Sequence, residues 1–111
     1  MAVAPSVERA AAEPGFRRFA AECLARFIRG DRGELCAEDQ AANEAADETG
    51  GQVVGNYPLP PALAHHRQPG DATAALWVIR HSGPPTGPVR LTVLFPSDYW
   101  PRPAPGPPGR S

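Results

Sequence analysis

Helical periodicity in this chain ends near Gly50 and does not return. Every stretch patterned like a strand lies after that point. A strand–helix–strand crossover has no helix to use, so a parallel sheet built from such units is excluded. The order helix, helix, strand, strand, strand predicts an α+β domain: two N-terminal helices packed on one face of a three-stranded antiparallel meander.

The first helix is read from PGFRRFAAECLARFIRG. Phe16, Phe19, Ala20, Cys23, Leu24, Phe27 and Ile28 recur at helical spacing as one continuous stripe. Pro14 suits the first turn and Gly30 the position past the last. Arg26 and Arg29 sit near the C-terminus, where the helix dipole favours positive charge. The second helix, residues 37–48, sets Ala37, Ala41, Ala42, Ala45 and Ala46 against a polar half of Asp39, Gln40, Asn43, Glu44, Asp47 and Glu48. Glu38 projects from the middle of the alanine arc. An alanine face buries little area but lets backbones approach closely, and Gly50 and Gly51 end the helix.

Beyond Gln52 the period changes. Val53, Val54 and Tyr57 predict a short strand, stopped by the prolines at 58, 60 and 61. PALAHHRQPGDAT reads as a loop. Leu76, Trp77, Val78 and Ile79 run without alternation, the mark of a central strand covered on both faces. SGPPTGP is a turn, and Leu91, Val93 and Phe95 then alternate with Arg90 and Thr92 until Pro96. Three strands under two helices leave the reverse face open. Trp77, Ile79 and Leu91 are therefore the expected contact residues for a homodimer or a protein partner.

Neither end of the chain carries enough apolar surface to offset its ordering entropy. Residues 1–13 are expected as a mobile arm and 101–111 as a mobile proline-rich tail around a single domain of 14–100. The tail's PRPAP also suits polyproline II docking on an aromatic groove. All 11 basic residues are arginine, and alanine, glycine and proline abound, which points to the codon bias of a high-GC bacterium. The net charge of −1 excludes a generic electrostatic hold on nucleic acid or anionic lipid. Its distribution is uneven: residues 31–48 carry seven acids against one arginine. No segment has the roughly 18 apolar residues of a membrane span, and the N-terminus lacks the apolar stretch of a secretory signal. A cytoplasmic location is the expectation.

Few residues suggest chemistry. Cys23 and Cys36 have no metal-type spacing and are too few for a disulfide framework, so two free thiols are expected. His65 and His66 are adjacent, and their side chains diverge in an extended chain. As metal ligands they would need Asp71, His81 or the acidic helix; solvated loop histidines, with no metal and no cofactor, are the expectation. His81 could meet Asp98 or Glu38 and act as a general base. Acids around Cys36 oppose a thiolate there. Neither a phosphate-binding glycine loop nor a glycine-flanked serine is present.

With the elements laid out, FIRGDRGELCAEDQAANEAA, GGQVVGNYPLP, LWVIRHS and LTVLFPSDY together resemble a family of small bacterial proteins. These are carried on plasmids, prophages and actinobacterial chromosomes, some labelled plasmid-related protein and others type I restriction endonuclease subunit M. The resemblance spans roughly residues 19 to 99. It departs at Arg32, where relatives tend to have Trp, at Cys36 and at the turn Arg80-His81-Ser82. It implies a fold and a mobile-element setting rather than a reaction, since a methylating subunit needs a much larger cofactor-binding domain. Among the shared positions, Asp31, Glu38, Asp39, Asn43 and Asp98 are expected to converge as a polar cluster. That cluster either braces the helix ends or binds something.

Three functions follow as expectations. The leading one is a non-enzymatic accessory or regulatory protein of a mobile element, acting by protein–protein contact. The second is an acidic mimic of DNA, or an antitoxin-like inhibitor of a DNA-binding protein, using Glu38, Asp39, Glu44, Asp47 and Glu48. The third is a small hydrolytic or metal-assisted enzyme built on His81.

Overall fold

A computed structural model describes residues 2–49, 51–71, 73–82 and 89–99. In chain order the elements are β1 (Ala2–Val3), α1 (Pro5–Ala10), α2 (Pro14–Ile28), α3 (Ala37–Thr49), β2 (Gln52–Pro58), a 3-10 helix (Pro61–His66), β3 (Ala75–Ser82), β4 (Val89–Leu94) and α4 (Pro96–Tyr99). The α+β class and the antiparallel β2–β3–β4 meander match the sequence reading.

The sheet has four strands, not three, in the order β1-β4-β3-β2. β1 adds to β4 in parallel, with Ala2 opposite Thr92 and Val3 opposite Val93. The segment expected as a mobile arm therefore holds a strand and a helix. Its apolar residues are small but well spaced: Val7 and Ala10 lie three apart and are both buried in the main core. The unpaired edge of β4 supplies the backbone partners, a long-range feature that local composition does not encode. The proline-rich tail and the turn at 83–88 lie outside the described residues, as does Gly50.

Strand register divides the sheet into two faces. Val53, Gly55, Tyr57, Leu76, Val78, Leu91 and Val93 share one. Against it pack Phe16, Cys23 and Phe27 of α2, with Val7 and Ala10 of α1, to form the core. Each fully buried aromatic here removes enough apolar surface to contribute roughly 1.5–3 kcal/mol. α2 stops as its sequence directs. Gly30, at φ 95°, follows the last turn; its N–H reaches Phe27 O at 3.0 Å and the Asp31 N–H reaches Arg26 O at 2.8 Å. That pair of bonds is a Schellman closure, which needs a residue comfortable in left-handed backbone. Ile28, assigned to the buried stripe, is 68% exposed, because it lies in the last turn beyond the sheet's cover.

α3 covers that face only in part, through Ala46, which joins the same core. It lies along the outer edge of β2, where Asn43 meets the Val54 backbone. Further along the same edge the chain at 32–34 pairs with Asn56: Asn56 N–H donates to Arg32 O at 2.9 Å and Glu34 N–H to Asn56 O at 2.8 Å. Pro58 closes the strand without an N–H of its own. A strand edge that would otherwise invite another chain is thus occupied.

The reverse face carries Val54, Asn56, Trp77, Ile79, Thr92 and Leu94. It is not the open apolar surface expected from three strands. Ile79 is 1% exposed within this single chain and Leu94 is also buried, while Val54, Asn56, Trp77 and Thr92 stay partly accessible. Two of its apolar side chains are thus covered within the single chain, and two, Val54 and Trp77, are half-buried.

Candidate functional site

A cleft of about 840 Å³ opens on the reverse face. The first turns of α3 form one wall with Asp39, Ala42 and Asn43, and Glu34 to Cys36 extend it. Val54, Asn56 and Trp77 form the floor. The turn carrying Gly70, Asp71 and Thr73 closes the far side, beside Pro96 at the start of α4. Volumes of this order suit a small ligand or one or two inserted side chains.

Each wall is held by bonds that the sequence does not announce. Asn43 is buried, although helical projection put it on the wet side of α3. It turns inward because Val54 offers both an N–H and a C=O on an unpaired strand edge. Trp77 and Asn56 are opposite one another across β3 and β2, and the indole N–H donates to Asn56 Oδ1 at 2.8 Å. Asn56 Nδ2 in turn donates to Glu34 O at 2.8 Å. The ring's polar end is therefore fixed while part of its apolar body borders the cleft.

The charge in the cleft has one sign. Glu34, Asp39 and Asp71 line it, and no basic side chain does so among the described residues. Asp71 is the unusual member. It is only 7% exposed, and its Oδ2 has no hydrogen-bond partner. Burial pushes its carboxyl above the ordinary value of 3.8, and bonds from the Ser97 hydroxyl and backbone only partly oppose that. A buried, half-satisfied carboxylate is a costly feature for a small fold to keep.

The two sets of residues expected to act together, the contact residues Trp77, Ile79 and Leu91 and the polar cluster of Asp31, Glu38, Asp39, Asn43 and Asp98, are regrouped. Trp77, Asp39 and Asn43 meet at the cleft. Asp31 serves the α2–α3 connection instead: Arg26 Nε donates to its Oδ2 at 2.8 Å, Gly33 N–H to its Oδ1 at 3.0 Å, and Tyr57 hydroxyl to its backbone oxygen at 2.6 Å. Asp98 caps α4, its Oδ2 accepting from Phe95 N–H at 2.9 Å and from the Ser6 hydroxyl at 2.6 Å. Asp31 thus ties the end of α2 to β2, and Asp98 ties the start of α4 to α1. Glu38 is exposed on α3. Leu91 lies half-buried on the α2 side of the sheet, and Ile79 is buried on the reverse face.

His81 pairs in register with Gln52 and Arg90. Asp98 follows the strand end that pairs with Trp77, four residues or roughly 13 Å away along β3. The His81–Asp98 pair that the sequence allows therefore does not form. Asp47 accepts from Arg80 Nη2 at 2.9 Å and lies 3.9 Å from Arg32, which ties part of the acidic helix to its own chain.

His65 and His66 also depart from expectation. The segment read as a loop is a 3-10 helix, in which successive side chains stand about 120° apart rather than opposed. Both rings reach Glu13 Oε1, from His65 Nε2 at 3.0 Å and His66 Nε2 at 2.9 Å. These bonds, His65's first, hold the Glu13 carboxyl below its ordinary value. Sequence reasoning missed Glu13, Glu34 and Asn56 because no spacing joins them to their partners.

No family model, curated protein or solved structure matches this chain.

Proposed function

We propose that the protein is a non-enzymatic binding protein that takes a basic segment of a protein partner into the reverse-face cleft. One observation carries this reading: Asp71, a buried carboxylate with an unpartnered oxygen, lines a cleft whose charged groups, among the described residues, are all acidic. An arginine or lysine side chain entering there would gain Glu34 and Asp39 near the mouth and Asp71 at depth, with the Trp77 ring beside its alkyl stem or cationic head. Charge-assisted bonds to Asp71 would stabilise its ionised form and offset the burial cost. An accessory role in a mobile element agrees with the family resemblance and with contact-based action.

The test is calorimetry of the full chain with short peptides that differ only in one central residue, arginine, lysine or glutamine. Arginine and lysine peptides should bind, more weakly as salt rises, and the glutamine peptide should not. Asp39→Asn with Asp71→Asn should abolish the binding, and the Trp77 indole N–H resonance should shift on addition of the basic peptides alone. Equal binding of all three peptides, or none, would overturn the reading. Binding to a DNA-binding protein that survives the Asp39/Asp71 double change but is lost on Glu38→Gln, Glu44→Gln and Glu48→Gln would favour the DNA-mimic function instead.

A further inference from the structure

The geometry points to a first-row transition-metal site of the zinc class formed by Glu13, His65 and His66. It shares no residue with the cleft and does not depend on the function proposed for it.

Three donor atoms, one from each side chain, lie within 4.8 Å of one another. Glu13 Oε1 is 3.0 Å from His65 Nε2 and 2.9 Å from His66 Nε2. In a tetrahedral zinc centre with bonds of about 2.0–2.1 Å, donor atoms sit about 3.3 Å apart. Opening the two short contacts by a few tenths of an ångström, and setting the two ring nitrogens, which lie within 4.8 Å of each other, at a similar spacing, would admit the ion in place of the bridging protons. Two imidazoles with one carboxylate is also the donor set that suits zinc and its neighbours rather than magnesium or calcium.

The donors are held in advance. Leu63, in the same 3-10 helix as the histidines, is buried in the main core. Glu13 is the N-cap residue of α2, in extended backbone ahead of Pro14. Phe16 packs on the His66 ring at 4.8 Å between centroids, and the His65 ring lies 4.2 Å from that of His66. The His66 side chain is only 16% exposed, whereas His65 is 59% and Glu13 41% exposed. One side of the triad thus rests on the protein and the other meets solvent, leaving room for water as a fourth ligand.

Without the ion, each imidazole bond to the acceptor-only carboxylate requires a proton on Nε2. Metal binding requires a free Nε2 lone pair on both rings, which neutral histidine provides by moving its proton to Nδ1.

The full chain without an affinity tag is titrated with Co²⁺, then with Zn²⁺. The expected result is one equivalent of Co²⁺ giving the absorption of a low-coordinate site, displaced by one equivalent of Zn²⁺, with a higher unfolding temperature in the presence of Zn²⁺. His66→Ala should weaken binding by at least tenfold, since even loss of a group behind a ligand costs about that much. Glu13→Gln should do the same with its helicity unchanged, so a folding defect in the histidine variant cannot decide the matter. Cys36→Ser should bind as the parent does. Absence of stoichiometric binding, binding that survives both the Glu13 and His66 changes, or binding lost with Cys36 would each overturn the assignment.

Discussion

Asn43 bonds the backbone of Val54 twice, donating from Nδ2 to the carbonyl at 2.8 Å and accepting from the N–H at 3.1 Å through Oδ1. A helix side chain here does what a neighbouring strand would do. It satisfies both polar groups of one residue on the outer edge of β2 and fixes α3 to the sheet. Asn43→Ala would leave both groups without their partner, and Asn43→Asp would lose the donor. We expect each to destabilise the fold by about 1–3 kcal/mol, with the aspartate costing more at neutral pH because a charge is then partly buried. Urea unfolding checks this; a change under about 0.5 kcal/mol for Asn43→Ala would show that the pair does not brace the helix.

Gly55 lies against the Phe27 ring of α2 and the Tyr57 ring of its own strand. A Cβ there would stand 2.6 Å from the Tyr57 hydroxyl and 2.8 Å from Phe27 Cδ1, and both rings are buried. Gly55→Ala should cost about 1–3 kcal/mol through overpacking. Pairing it with Phe27→Leu should recover part of the loss, a coupling that a double-mutant cycle measures.

The two thiols should differ sharply in reactivity. Burial pushes the Cys23 thiol up to about 12, while Cys36 is exposed ahead of α3. At neutral pH one thiol per chain should react with a soluble disulfide reagent, and two after unfolding in denaturant. Cys36→Ser should abolish the native reaction; a protein that still reacts would place Cys23 nearer to solvent than the fold does.

Asp71 predicts an unusual pH dependence. Its folded carboxyl titrates above the ordinary 3.8, so the folded state holds that proton to higher pH than the unfolded chain does. Its contribution is full below 3.8 and is lost as pH rises through the folded value. Asp31 and Glu13 act in the opposite sense, since bonds from Arg26 and from the two imidazoles hold them down; their contributions are present above the ordinary values and lost on acidification. Asp71→Asn should therefore improve relative to the parent as pH goes from about 4 to 7. A difference in stability that does not change with pH would remove Asp71 as a buried titrating group. Ligand affinity in the cleft should rise over the same range, as Asp71 becomes able to take a cation.

Local pattern set much of this protein. The α2 stripe, the glycine stop at Gly30, and the ends of β2 and β4 at proline follow from spacing and backbone restriction within a few residues, so one chain segment suffices to read them. The antiparallel meander follows too, because no helix is available for a crossover. Partnerships across long separations were decided by the tertiary structure alone. β1 exists because β4 has a free edge, Asn43 points inward because β2 has one, and Glu13 meets two histidines more than fifty residues away because a 3-10 turn converges their rings. Periodicity records which face of an element avoids water; it carries no record of which polar group on a distant segment will stand opposite.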